Sequence, residues 1–172
     1  MRVRPNDPPA PTLALVAAVA LHETLFSLTH PGELVIKWPN DILAGGAKLA
    51  GILLERAGEA VVIGFGANLA HHPEGLERAV TSIAALRGFA PDPAAVAHSL
   101  ADRFGDWMGR WRSHGLDQIL TAWLAAAHPV GTRLSTPDGA GAFAGLDQSG
   151  ALRLQLADGS LRLIHAGDVF LL

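Results

Sequence analysis

Apolar residues recur at helical spacing from Thr12 onward, with Leu13, Val16, Ala17, Ala20, Leu21, Thr24, Leu25 and Leu28 falling on one face. The pattern predicts a helix with Thr12 as its N-cap and Pro31-Gly32 as its stop. Nearly every position between them is apolar or alanine, so the helix is expected to be buried on more than one side. Before it, prolines at 5, 8, 9 and 11 keep the chain extended. Three strand-like runs follow: Leu34 to Lys37, Lys48 to Arg56, and Ala60 to Leu69. Gly58-Glu59 reads as a two-residue hairpin turn, and Ala44-Gly45-Gly46-Ala47 as the loop joining the first pair of strands. Helical periodicity returns from Pro91 to Ala127, and Phe104, Trp107 and Trp111 fall on the spacing a buried face requires. After His128-Pro129 the texture changes to short alternating runs such as Leu152-Leu154-Leu156. These are separated by Pro137-Asp138-Gly139, Asp147-Gln148-Ser149-Gly150, Asp158-Gly159-Ser160 and Ala166-Gly167-Asp168. That is a small all-β module, too short to bury much alone and expected to dock on what precedes it. A boundary at residue 128 divides the chain into 1–127 and 128–172.

Composition narrows the function classes. Nearly half of the 172 residues are apolar and about a sixth are charged, which predicts a real core. A net charge of −3 argues against a nucleic-acid surface. Zero cysteines exclude disulfides, a zinc ribbon and thiol catalysis, and fit a reducing cytoplasm. The longest apolar stretch, Leu13 to Leu21, is far shorter than a bilayer span, so no membrane role is expected. His71-His72 has no metal-binding spacing, and Arg103, Arg110 and Arg112 read as solvated helix surface.

The chemistry concentrates between positions 37 and 68. Only two lysines occur in the chain, Lys37 and Lys48, against eleven arginines, and they flank Trp38-Pro39-Asn40-Asp41. Lysine offers a compact ammonium on a flexible stem, suited to a single phosphate or carboxylate oxygen. Asp41 is a candidate for holding a metal ion against phosphates or for positioning a nucleophilic amine; the alternative is a solvated strand-end turn. In Lys48-Leu49-Ala50-Gly51-Ile52-Leu53, Gly51 would let a ligand approach backbone, although strand parity puts Lys48 and Gly51 on opposite faces. In Gly64-Phe65-Gly66-Ala67-Asn68, two glycines on one face leave a bare floor on which a flat heterocycle could lie, read by the Asn68 amide. Equally, such glycines can mark a bulge or a tight packing contact.

Together these segments resemble the biotin–protein ligases, whose catalytic domain carries a KWPND segment, then K-L-A-G-I-L followed by glutamate, then a G-x-G-x-N strand. The matches are Lys37 to Asp41, Lys48 to Leu53 with Glu55, and Gly64 to Asn68. The C-terminal module is similar to the family's SH3-like domain, with Gly145-Leu146-Asp147, Gly150-Ala151-Leu152, Asp158-Gly159 and Ala166-Gly167-Asp168-Val169. The resemblance implies an α+β catalytic domain with a mixed sheet flanked by helices, similar to a class II aminoacyl-tRNA synthetase core, followed by an SH3-like barrel. It implies ATP, biotin and Mg²⁺ as ligands, and a lysine of a biotin carboxyl carrier protein as acceptor. By the same resemblance Lys48 and Asp41 are the catalytic pair, with Asp41 also near Mg²⁺. Lys37, Trp38, Asn40, Gly51, Ile52, Gly64, Gly66 and Asn68 would line the biotin and nucleotide pocket, Asn68 holding the adenine. The family's Ser-Thr-Asn biotin floor and GRGRxGR loop do not occur in this sequence. The expectation is therefore an incomplete catalytic domain with impaired turnover and an exposed sheet edge or apolar patch. A lipoate–protein ligase-type acyltransferase and a non-catalytic nucleotide- or partner-binding remnant, dimerising through its sheet edge, are the alternatives.

Overall fold

The computed structural model describes residues 1–172 except His30, Pro31, Glu33 and Asp138. A single 3-10 turn, Ala10–Thr12, leads into helix α1, Leu13–Phe26. Four strands form the first sheet in sequence order: β1 Leu34–Lys37, β2 Asp41–Ala44, β3 Ala47–Ala57 and β4 Ala60–Ala67. Helices α2 Ile83–Arg87, α3 Pro93–His114 and α4 Asp117–Ala125 follow. The second sheet is built from β5 Arg133–Thr136, β6 Gly139–Leu146, β7 Leu152–Gln155, β8 Leu161–Ile164 and β9 Phe170–Leu171, in the order β8-β7-β6-β5-β9. All named strands pair antiparallel, while single parallel bridges, Ile36–Ala127 and Lys48–Val80, make the first sheet mixed at its margins.

Helix α1 is the centre of the molecule. Leu13, Val16, Ala17, Ala18, Ala20 and Leu25 are fully buried, because α1 packs on β1, β2 and β3 on one side and on α3 and α4 on the other. Each such Leu or Val removed from water contributes roughly 1.5–3 kcal/mol. Thr12 precedes the helix as expected but does not cap it. Its hydroxyl donates to the Pro9 carbonyl at 2.6 Å and accepts from the Trp111 indole N–H at 2.9 Å. The helix ends at Phe26, five residues before the expected stop, of which Pro31 lies outside the described residues; so does Asp138 of the Pro137-Asp138-Gly139 turn.

The Gly58-Glu59 hairpin forms as expected, with Ala57 paired to Ala60. Between the first two expected strands, however, the chain forms a further strand, β2, so Asp41 opens a strand rather than standing in a loop. The expected aromatic core holds: Trp107 and Trp111 are buried, and Phe104 meets the edge of Phe65 at 5.7 Å. The three arginines of α3 are not simply solvated. Arg103 reaches Glu23 at 3.4 Å, Arg110 lies 4.4 Å over the Trp107 ring, and Arg112 pairs with Asp7 at 3.3 Å.

The second sheet docks on the first half through one continuous core. Trp123 meets Phe143 at 6.4 Å, and the Trp38 indole donates to the Gly150 carbonyl at 3.2 Å. The proposed boundary at residue 128 lies between α4 and β5. Among the described residues no helix is long and apolar enough to cross a membrane.

Two outcomes follow from this packing. Trp111→Ala empties a fully buried site and removes the bond that the Thr12 hydroxyl accepts; chemical denaturation should show a loss of about 3–5 kcal/mol. His22 and His128 are both held below the ordinary histidine value of 6.5, first by burial and, at His128, also by the Lys37 charge. The unfolded chain therefore binds more protons just below that value, and stability should fall as pH drops from about 6.5. The denaturation midpoint of a His22→Gln/His128→Gln variant should vary less with pH over that interval than the parent's. An equal dependence would remove these two groups from the account.

Candidate active site

The sheet has one face sealed by α1 and one left open. Ile36, Ile42, Ala50 and Ile52 point into the core, while Lys37, Asp41, Lys48, Gly51, Leu53, Gly64 and Gly66 lie on the open side. Leu53 is 60% exposed and Val62 52%, forming the apolar patch expected of an uncovered sheet.

A one-residue irregularity decides what this face carries. Asp41 pairs with Gly51 and Ile42 with Ala50, but Leu43 pairs with Lys48, leaving Leu49 as an extra residue on β3. Such a bulge reverses side-chain parity along the strand. Lys48 and Gly51, expected on opposite faces, therefore share one. A methyl group added at Gly51 would stand 3.0 Å from the Lys48 ammonium and 3.3 Å from Asp41 Oδ1.

The two lysines converge on a single carboxylate. Lys37 Nζ lies 3.2 Å from Asp41 Oδ2, and Lys48 Nζ is hydrogen-bonded to Oδ1 of the same side chain. Asp41 is only 7% exposed, so it is a buried anion held between two partly exposed cations. One negative against two positive charges leaves the trio with one net positive charge facing the open side.

Gly51 and Gly66 lie opposite each other on β3 and β4, as do Leu53 and Gly64, so the expected bare floor is present. Two shallow basins flank Lys48 over it. One of about 420 Å³ is lined by Lys48, Gly51, Ile52, Leu53, Gly64 and Gly66. The other, of about 430 Å³, shares Lys48, Gly51 and Gly66 and extends past Asn68 to Leu76, Arg78 and Val80.

The chain covers most of a curated relative, the biotin–[acetyl-CoA-carboxylase] ligase of Paracoccus denitrificans. The two are 39% identical over 176 residues, spanning 94% of this chain and 73% of that protein. This chain belongs to the biotin protein ligase family. Residues 5–68 match the biotin/lipoate A/B protein ligase family and residues 136–172 the biotin protein ligase C terminal domain. The biotin–[acetyl-CoA-carboxylase] ligase of Mycobacterium tuberculosis is 34% identical, over 91% of this chain and 61% of its own length. In fold the chain is similar to the biotin protein ligase of Aquifex aeolicus, with a TM-score of 0.84 at 20% identity, covering 94% of this chain and 75% of that one.

Within this biotin protein ligase fold, several expected ligand residues hold the site together. The Trp38 indole is buried and its N–H is given to Gly150, which makes Trp38 a joint to the second sheet. Asn40 donates from Nδ2 to the Ile52 carbonyl at 2.7 Å and receives the Ile52 N–H on its own carbonyl at 2.9 Å, clamping β3. Ile52 itself faces mainly into the core. Asn68 gives one Nδ2 hydrogen to the Thr81 carbonyl at 2.9 Å, leaving its Oδ1 and its second Nδ2 hydrogen to read a base. Lys37, Asp41, Lys48, Gly51, Gly64 and Gly66 stand on the open face as a group.

A Mg²⁺ ion on Asp41 would have to displace Lys37 or Lys48. Both carboxylate oxygens already accept from ammonium groups, and among the described residues no three His, Asp or Glu side chains converge on a metal position. Magnesium needs free oxygen ligands.

The crowding at Gly51 makes a direct test. Gly51→Ala must shift the Lys48 ammonium by a few tenths of an ångström against Asp41, which is possible because the opposing atom is the end of a flexible side chain. The melting temperature should stay within a few degrees, while binding of biotinyl-adenylate falls about tenfold or more. Unchanged binding would remove the Lys48–Asp41 contact from the ligand site.

Proposed function

We propose that this chain performs biotin–protein ligation: ATP-dependent activation of biotin to biotinyl-5′-adenylate, then transfer of biotin to a lysine of a biotin carboxyl carrier protein. The observation that carries the reading is the buried Asp41 bracketed by Lys37 and Lys48 above a glycine floor with a basin on either side. A molecule with an acyl part and a nucleotide part joined by a phosphate matches two basins that meet at one ammonium.

In the first step a biotin carboxylate oxygen forms a bond to the α-phosphorus and the bond to pyrophosphate breaks. Negative charge builds on oxygens above Lys48, where a pre-placed ammonium in a partly dry site stabilises it. To reach them Lys48 must leave Asp41, and Asp41 then keeps Lys37 as its only cation. In the second step the carrier lysine's neutral amine nitrogen attacks the acyl carbon, the acyl C–O bond to the phosphate breaks, and AMP departs while the amine proton passes to solvent. The Asp41 oxygen vacated by Lys48 is positioned to accept a hydrogen bond from that amine and to orient it.

The finer parts of this reading stay within the proposal: the carrier as acceptor, a cytoplasmic setting in keeping with the absence of cysteine, and a homodimer through the sheet edge. Weak turnover from these 172 residues alone also belongs to it, supported by the open face carrying Leu53 and Val62.

Transfer of radiolabelled biotin to a carrier domain, run beside titration with biotinyl-adenylate, tests the assignment. The chain should bind biotinyl-adenylate more tightly than ATP alone, and transfer biotin more slowly than a relative such as the Paracoccus enzyme. Lys48→Met should lower adenylate formation about a hundredfold, whereas Asp41→Asn should slow transfer from preformed adenylate. Preference for lipoyl-adenylate, or binding of nucleotide with no effect of biotin, would overturn the reading.

A further inference from the structure

We infer that Arg78 is a second phosphate-binding residue of this site, gripping the outer phosphates of the nucleotide and the pyrophosphate that leaves. The inference rests on the ligase reading above and adds a residue outside the three matched motifs.

The loop carrying Arg78 is stitched to Lys48 itself. The Lys48 N–H donates to the Ala79 carbonyl at 2.9 Å, and the Thr81 N–H donates to the Lys48 carbonyl at 3.0 Å. These two bonds form the parallel bridge between Lys48 and Val80. Asn68 locks the same segment from behind, giving its side-chain N–H to the Thr81 carbonyl and accepting the Ile83 N–H on its backbone carbonyl. The backbone that presents the catalytic lysine thus also fixes the backbone that presents Arg78. Both side chains line the same basin of about 430 Å³.

Charge calls for such a residue. The Lys37–Asp41–Lys48 trio offers one net positive charge, whereas a triphosphate carries several negative ones. With Lys48 in place, both Asp41 oxygens are taken by ammonium groups. Among the described residues lining the two basins, Lys48 and Arg78 are the charged ones. Arg78 is exposed, makes no ion pair with the described residues, and is therefore available to an incoming anion. The two cations also differ suitably in kind. A lysine point charge suits the single oxygen at which bonds change, and an arginine fork suits two oxygens of a terminal phosphate held through the step.

The test uses the whole chain and inorganic pyrophosphate, ATP and biotinyl-adenylate as separate calorimetric ligands, with Arg78→Met and Arg78→Lys. Arg78→Met should weaken pyrophosphate and ATP binding about tenfold, leave biotinyl-adenylate within twofold, and keep the melting temperature of the parent. Arg78→Lys should recover part of the loss, and the salt dependence of pyrophosphate binding should flatten in Arg78→Met. Equal affinities for pyrophosphate in parent and Arg78→Met would overturn the assignment to Arg78 while leaving the ligase reading intact. A uniform loss for all three ligands would also overturn it, showing that Arg78 only supports the loop. A parent chain that fails to bind biotinyl-adenylate would instead remove the ligase reading on which the inference stands.

Discussion

Everything at this site depends on helix α1 taking one face of a four-stranded sheet. Once Leu13 to Leu25 are sealed between β1–β3 and the α3–α4 pair, the sheet has a single free surface. Any polar group in the strands must then stand on that surface or be buried with partners. Asp41 does both. It sits at the start of β2, almost out of water, and tolerates that position because two ammonium groups meet its two oxygens. Removing either cation alone would leave a buried carboxylate half-compensated, which is far costlier than the pair is stabilising. The arrangement is accordingly a poor choice for stability alone.

The bulge at Leu49 is what brings that geometry onto one face. Without the extra residue, alternation would send Gly51 to the face opposite Lys48. The open surface would then lose either the ammonium or the gap it occupies. The same extra residue puts Leu49 itself fully into the core. A single local irregularity therefore serves packing and chemistry together, which is the usual company bulges keep near functional sites.

Elements with their own periodicity were legible in the sequence. The continuous apolar run gave α1, the helical periodicity gave the α3–α4 region, and the turn residues gave the Gly58-Glu59 hairpin and the small β module. What escaped was short or non-local. Strand β2 is four residues long and buried throughout, so it shows no alternation. Helix α2 is five residues, started by the Ser82 hydroxyl accepting from the Ala85 N–H and ended by Gly88 with φ +75°, signals too brief to stand out in a loop. The identities of Lys37, Asp41, Lys48 and the glycines were readable, but their grouping was not. Parity counted along β3 alone gives the wrong face, because the bulge is defined only by pairing with β2. Asn40, Asn68 and Trp38 show the same limit. Residue type pointed to ligands, and the structure adds a side-chain hydrogen bond from each to Ile52, Thr81 and Gly150, partners 12, 13 and 112 positions away that no local pattern reveals.

Those hydrogen bonds explain why the second sheet matters to a site it does not line at Lys48. Trp38 belongs to the turn between Lys37 and Asp41, so its indole bond to Gly150 fixes the turn from the far side. Gly150 can come that close because it has φ +86°, and a side chain there would run into Leu15 of α1. The loop that meets Trp38 is held in shape in turn by Asp147, whose carboxylate accepts from the Ser149 N–H and hydroxyl and from the Ala151 N–H at 2.8, 2.8 and 2.9 Å. A chain of short contacts thus runs from the C-terminal module through Trp38 to the turn that carries Asn40 and Asp41. The module acts as a brace. Through Trp38 it holds the turn that delivers Asp41 to its two lysines.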